Sequence, residues 1–170
     1  MRLPLPTSPG GKMFVAFTLG AASVLGFAPF YLFPLPIITL ALLLYLWNQL
    51  KQRLAAFLVG FAFGLGFFGF GTSWIYVSMH DFGAMPALLA GTATLLFCAL
   101  FALYPALTGS FLAPIKTSPL SKQVLVFPAV WVLLEWTRSW IFTGFPWLAL
   151  GYSQAPLSPL AGYAPLLGVF

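Results

Sequence analysis

The chain has 170 residues, 61% of them hydrophobic and 18% aromatic against 5% charged, which excludes a water-soluble globule, where about 25% of residues carry charge. The net charge of +5 comes from seven scattered cations, without the basic-aromatic platform that nucleic-acid binding requires. The single cysteine, Cys98, lies within Leu95-Leu96-Phe97-Cys98-Ala99-Leu100. It excludes a disulfide framework or a cysteine metal site and suits a small buried hydrophobe better than a reactive thiol.

A helix needs about 20 apolar residues to cross a bilayer, and five runs meet or approach that length: residues 13–28, 33–47, 54–77, 87–113 and 124–142. A sixth apolar stretch, 156–170, is still running where the chain stops, so the sequence reads as a fragment. The expected fold is an all-α integral membrane protein. It would be a polytopic bundle of about five transmembrane helices plus a truncated sixth apolar segment, with residues 1–170 as one N-terminal transmembrane domain.

Arg2 and Lys12 precede the first run, Lys51 and Arg53 separate the second from the third, and Lys116 and Lys122 separate the fourth from the fifth. The alternate gaps, 29–32 and 78–86, hold no Lys or Arg. All six loop cations therefore fall on one side, which the positive-inside rule makes cytoplasmic together with the N-terminus. Phe30, Tyr31, His80, Asp81 and Trp147 are then expected near the opposite surface. Lys12 and the run behind it imitate a secretory signal, but no small-x-small cleavage site ends the run.

The third run carries Gly60, Gly64, Gly66, Gly69 and Gly71. Gly60 and Gly64 form a Gly-x-x-x-Gly pair suited to close helix packing; a lipid-sized crevice where side chains are missing is the other reading. Trp74 and Tyr76 close the run at headgroup level. His80-Asp81 has the composition of a proton-transfer pair, but adjacent residues of a polar loop ordinarily just face water. Nothing places His80, Asp81 and Glu135 together, so no metal site is expected.

The stretch from Glu135 to Gln154 carries the most information. Glu135 and Arg138 are three residues apart, share a helix face and can pair. Charges at membrane depth are costly and rare, and pairing lowers the cost. The pair would fix helix orientation, or form a polar floor against a lipid headgroup or an adjoining domain. Gly144-Phe145-Pro146-Trp147 cannot continue a regular helix, and non-helical backbone at this depth persists only where protein or water satisfies it. It is either an exit turn with an interfacial tryptophan or, over 143–155, a broken periplasmic segment shaping a substrate entrance. Tyr152, Ser153 and Gln154 add polar groups beyond it. No P-loop, dinucleotide fingerprint or Gly-x-Ser-x-Gly elbow occurs, and no nucleophile has a matching base, so this chain alone is expected to catalyse nothing.

Phe27-Ala28-Pro29-Phe30-Tyr31 resembles the N-terminal membrane part of the bacterial apolipoprotein N-acyltransferases. So does Gly69-Phe70-Gly71-Thr72-Ser73-Trp74-Ile75-Tyr76-Val77-Ser78, followed by Phe82-Gly83-Ala84-Met85-Pro86. Pro128-Ala129-Val130-Trp131 through Gly151-Tyr152-Ser153-Gln154 is a third block, and Leu160-Ala161-Gly162 with Ala164-Pro165-Leu166-Leu167-Gly168-Val169 is a fourth. The blocks follow the family's order over nearly the whole chain.

The resemblance implies an inner-membrane enzyme with a nitrilase-like domain on the periplasmic side. There a Glu-Lys-Cys set takes an acyl chain from a phospholipid donor as a thioester and passes it to the diacylglyceryl-cysteine of an apolipoprotein acceptor. It implies a monomer in the bilayer of the bacterial inner membrane, without cofactor, metal or nucleic acid. None of the catalytic set carries over, since Cys98 and Glu135 belong to membrane spans. The residues expected nearest the lipid entrance are Gly144, Phe145, Pro146, Trp147, Tyr152 and Gln154, braced by Glu135 and Arg138. A transporter or channel subunit lined by that pair, or a membrane scaffold without substrate, are the alternatives.

Overall fold

The computed structural model describes Pro6 and residues 8–115, 117–155 and 158–169. Arg2 and Lys116, two of the six loop cations, and Pro156 and Phe170, the ends of the sixth apolar stretch, lie outside the described residues. Among the described residues every regular element is helical and there is no strand.

Helix α1, Pro9–Ser23, starts ahead of the apolar run because its signal is polar. Ser8 Oγ accepts the Gly11 amide at 3.2 Å and Pro9 occupies the first turn, where its missing N–H is not needed. A 3₁₀ turn, Val24–Gly26, ends it. The chain reverses into α2, Pro34–Asn48, and the hairpin is held by a buried hydrogen bond between Ser23 and Thr39. Gly26 allows the Pro36 ring to seat against its backbone.

The axis of the molecule is α3, Arg53–Gly71, which packs along α1 and α5, Ala87–Leu112. Gly60 faces Pro105 and Ala106 while Gly64 faces Ala102, so a Cβ at either glycine would run into the opposite backbone. Gly20 of α1 meets the backbone of Phe63 in the same way. The space at Gly60 and Gly64 is therefore filled by neighbouring helix, whereas a Cβ at Gly69 would have nothing within 4 Å. Phe63, Phe67, Phe68, Leu43, Leu46 and Trp47 form the centre of the apolar core.

The expected span 54–77 is interrupted. Thr72 leaves helical geometry, with φ −122° and ψ 15°, and its hydroxyl donates to the Phe68 carbonyl at 2.7 Å. A short α4, Trp74–Val77, and a π turn, Ser78–Phe82, follow. Further on, α6, Pro119–Ser121, continues through a π turn, Lys122–Val126, into α7, Phe127–Arg138. Beyond Arg138 come 3₁₀ turns, Ile141–Thr143, Leu150–Gln154 and Pro159–Tyr163, and a short α8, Ala164–Leu167.

Two helices, α3 and α5, are long and apolar enough to cross a membrane, each with a mean hydropathy of 2.0, and α2 is a shorter apolar helix. At about 1.5 Å per residue, the 15 residues of α1 or α2 cover roughly 22 Å of a hydrocarbon core about 30 Å thick. The sequence expectation of five spans treated apolar runs as unbroken helix, and the 3₁₀ turn at Val24 and the break at Thr72 interrupt two of them.

Contacts fix the directions of the helices. Gly60 against Pro105, Gly64 against Ala102 and Ala56 against Gly109 make α3 and α5 antiparallel. The Phe63–Trp131 ring contact and the Arg138 guanidinium over Phe68 make α3 and α7 parallel. Lys12, Lys51, Arg53 and Lys122 therefore collect at one end, called here the basic end. The turn after α1, the segment 72–86 and everything just past Arg138 collect at the other.

Candidate functional site

At the end opposite the basic one, the last turn of α7 carries Glu135 and Arg138 inward, with 7% and 3% of each exposed. Arg138 Nη2 lies 3.5 Å from Glu135 Oε1. Its Nη1 donates to the carbonyl oxygens of Phe145 at 2.7 Å and Trp147 at 2.6 Å. Glu135 Oε1 also accepts the Leu150 amide at 3.0 Å. The two charges thus supply donors and an acceptor to backbone that no helix satisfies, which is what buried non-helical chain requires.

The chain can double back beneath α7 because Thr143 and Gly144 both adopt positive φ, 74° and 82°. At Gly144 a side chain would strike the Ser139 carbonyl, so glycine answers both the backbone angle and the space. The Phe145 amide returns to the Arg138 carbonyl at 3.0 Å, and the Phe145 ring packs on Phe97 and Phe101 at 5.0 and 5.1 Å. Leu148, at φ 58°, is buried against Gly71.

Beyond this turn the segment is tied to other elements. Trp147 Nε1 donates to the Gly71 carbonyl, which ends α3, at 3.2 Å, and its ring meets Trp74 at 5.4 Å. Gln154 Nε2 donates to the Phe33 carbonyl, at the start of α2, at 3.0 Å. A cavity of about 630 Å³ opens between these elements, walled chiefly by Phe27, Phe30, Tyr31, Trp74, Trp147 and Tyr152. Two of its wall residues, Tyr31 at φ 54° and Leu148, hold the left-handed backbone that non-glycine residues avoid. Such conformations cost roughly 1–3 kcal/mol each and gather at binding sites.

Of the residues read from the sequence, Pro146, Trp147 and Tyr152 line this cavity. Gly144 makes the turn and Phe145 is the packed hinge beneath it. Gln154 lines a neighbouring cavity of about 320 Å³ beside Glu135 instead. Phe30, Tyr31 and Trp74 complete the wall. Their place at this end follows from charge counting, but their convergence on Trp147 depends on the break at Thr72, which no residue type announces. Cys98 is buried, with Sγ 3.4 Å from the Thr72 hydroxyl. His80 Nε2 and Asp81 Oδ1 are 4.0 Å apart; His80 is half-buried with Nδ1 2.8 Å from the Met85 carbonyl oxygen, Asp81 is exposed, and neither lines the cavity. Among the described residues no group of three or more His, Cys, Asp or Glu could hold a metal ion.

The family model for the apolipoprotein N-acyltransferase N-terminal domain matches residues 19–170. An apolipoprotein N-acyltransferase of Nitrosomonas europaea is 52% identical over 159 residues, covering 94% of this chain and 32% of that protein. Proteins of the same name from Chromobacterium violaceum and Coxiella burnetii are 44% and 45% identical, covering 98% and 92% of the chain and 32% of each relative. The chain thus spans about a third of the length of the relatives it matches. With the match running from the end of α1 through the whole clamped segment, the chain belongs to the apolipoprotein N-acyltransferase N-terminal domain family.

Proposed function

We propose that this chain is the membrane-embedded part of an N-acyltransferase that moves an acyl chain from a phospholipid to the amino-terminal diacylglyceryl-cysteine of an apolipoprotein. Its basic end faces the cytoplasm, and its clamped end faces the periplasm and the catalytic part of the enzyme. The observation that carries this reading is the aromatic cavity held open by a buried ion pair. Arg138 and Glu135 fix residues 145–150 in a non-helical path, and that path forms one wall of about 630 Å³ of apolar space. Apolar walls with few polar groups suit an acyl chain, which offers no hydrogen bonds and gains about 0.8 kcal/mol per methylene buried.

The membrane setting is supported by what the bundle leaves outside. Only 28% of the most apolar stretch of α5 is buried, and Leu88 and Leu95 are 86% and 69% exposed. A core helix of a soluble domain hides such side chains; here lipid covers them. The helical stretches around α1, α2 and α7 complete a polytopic bundle with the 3₁₀ and π turns that extend them. This chain supplies no catalytic residue on this reading. It positions the donor lipid, and the covalent thioester step falls to the remaining two thirds of the enzyme.

The test is acyl transfer from a labelled phospholipid to a diacylglyceryl-cysteine peptide by an enzyme carrying Trp147→Ala. The expected result is a rate at least about tenfold lower, as when positioning is lost, with membrane insertion intact. Wild-type turnover would remove the cavity from the reaction.

A further inference from the structure

The basic end holds a second pocket unrelated to the clamped segment. The first turns of α1 and α3 lie side by side and enclose about 240 Å³ between Pro9, Lys12, Met13, Gln52, Leu54 and Ala55. Lys12 is only 9% exposed, and among the described residues it makes neither an ion pair nor a side-chain hydrogen bond. The chain has two acidic residues, Asp81 and Glu135, and both lie at the far end, where Glu135 is engaged by Arg138. Lys12 thus lines the pocket with no carboxylate of the described residues against it, and a bound anion would neutralise it.

The pocket is built for an anion in a second respect. No side chain caps α3 at Gln52, so the first-turn N–H groups and the positive end of the helix dipole are free for a ligand. Lys51 and Arg53 flank the same turn. Leu54 and Leu58, which line the pocket, are also exposed on the outer surface of α3, an apolar path leading away from the charged site.

We propose that this pocket binds a phosphate group, supplied by an anionic lipid of the leaflet at the basic end. Phosphate accepts from the ammonium and from backbone N–H groups together, and the volume holds about eight waters at roughly 30 Å³ each, enough for a headgroup. Basic pockets between membrane helices recognise anionic headgroups in this way. The inference rests on the membrane setting proposed above but not on the aromatic cavity or the acyl-transfer activity.

The experiment is thermal unfolding of the purified protein in detergent micelles with added phosphatidylglycerol, phosphatidylcholine or inorganic phosphate. Phosphatidylglycerol is expected to raise the melting temperature by roughly 5 °C near saturation, and phosphatidylcholine by clearly less. Lys12→Gln loses that shift, while Lys122→Gln, elsewhere at the basic end, keeps it. Gln52→Glu supplies an internal carboxylate, so it melts higher without lipid and no longer responds; it decides the matter if Lys12→Gln does not fold. An equal shift from inorganic phosphate alone supports the phosphate site and assigns it to a soluble anion. A full phosphatidylglycerol shift in both Lys12→Gln and Gln52→Glu overturns the proposal, as does a protein carboxylate found against Lys12. A protein that stays monodisperse without detergent overturns the membrane setting instead.

Discussion

Arg138 Nη1 donates to the carbonyl oxygen of Trp147 at 2.6 Å, so a charge on a helix holds the backbone of the residue whose ring walls the aromatic cavity. The same guanidinium reaches Phe145 and Glu135. The pair therefore does more than neutralise itself: it replaces the hydrogen bonds the chain gave up on leaving α7. Removing one member strands the other among apolar side chains and leaves carbonyls unpaired as well.

Glu135→Ala is expected to cost about 3–5 kcal/mol, the usual penalty for breaking a buried pair. Arg138→Met should cost at least as much, since the Phe145 and Trp147 carbonyls also lose their donor. The double variant Glu135→Ala/Arg138→Met should lose less than the sum of the two singles, because no uncompensated charge remains. Denaturant titration in mixed micelles measures this cycle, and strict additivity would show that the two charges act separately.

Arg138→Lys separates charge from shape. An ammonium keeps the pairing with Glu135 but lacks the planar fork that serves two carbonyls and a carboxylate together. Stability is expected to fall by about 1–3 kcal/mol. Tryptophan emission should shift as Trp147 loses its fixed position against Trp74. Unchanged emission would mean that Trp147 is held by its bond to Gly71 alone.

How far the sequence reaches is clear from this site. The spacing of Glu135 and Arg138 is enough to read a shared face, because helix periodicity is a property of side-chain positions. What they hold is not readable, since the acceptors are main-chain carbonyls of Phe145 and Trp147 and a carbonyl carries no residue identity. The same limit hides the bond from Gln154 to Phe33, which joins positions 121 apart in sequence. Helix α1 shows a different gap. Ser8-Pro9 is a readable start signal, yet a reading by apolarity alone begins the helix at Met13. The helices α3 and α5 are legible as long apolar runs, while the break at Thr72 turns on one hydroxyl bonded back to Phe68, an arrangement that threonine equally makes inside intact helices.

Glycine substitutions test the packing against matched controls. At Gly64 a Cβ would sit 2.5 Å from the Ala102 Cα, so Gly64→Ala should destabilise by about 1–3 kcal/mol through overpacking of α3 on α5. Gly69→Ala has open space and should be neutral or up to about 1 kcal/mol stabilising from helix propensity alone. Gly144→Ala combines a positive φ with a clash and should exceed the Gly64 effect. Melting temperatures in one detergent rank the three, and equal values for Gly64→Ala and Gly69→Ala would contradict the close α3–α5 contact.

The orientation across the bilayer is open to a direct chemical test. Cys98 is the one thiol among these 170 residues and is 2% exposed, so the unsubstituted 170-residue chain gives a low background to thiol reagents. Asp81, in the turn at the clamped end, and Gln49, at the basic end of α2, are both exposed, and neither contributes to the ion pair or the core. A membrane-impermeant maleimide added to spheroplasts should label Asp81→Cys and spare Gln49→Cys until the membrane is broken. This pattern follows because four described cations crowd the end that carries Gln49, and moving Lys or Arg across the bilayer is what the insertion machinery disfavours. Labelling of Gln49→Cys in intact spheroplasts would invert the bundle and put the aromatic cavity on the cytoplasmic side, away from any periplasmic acceptor.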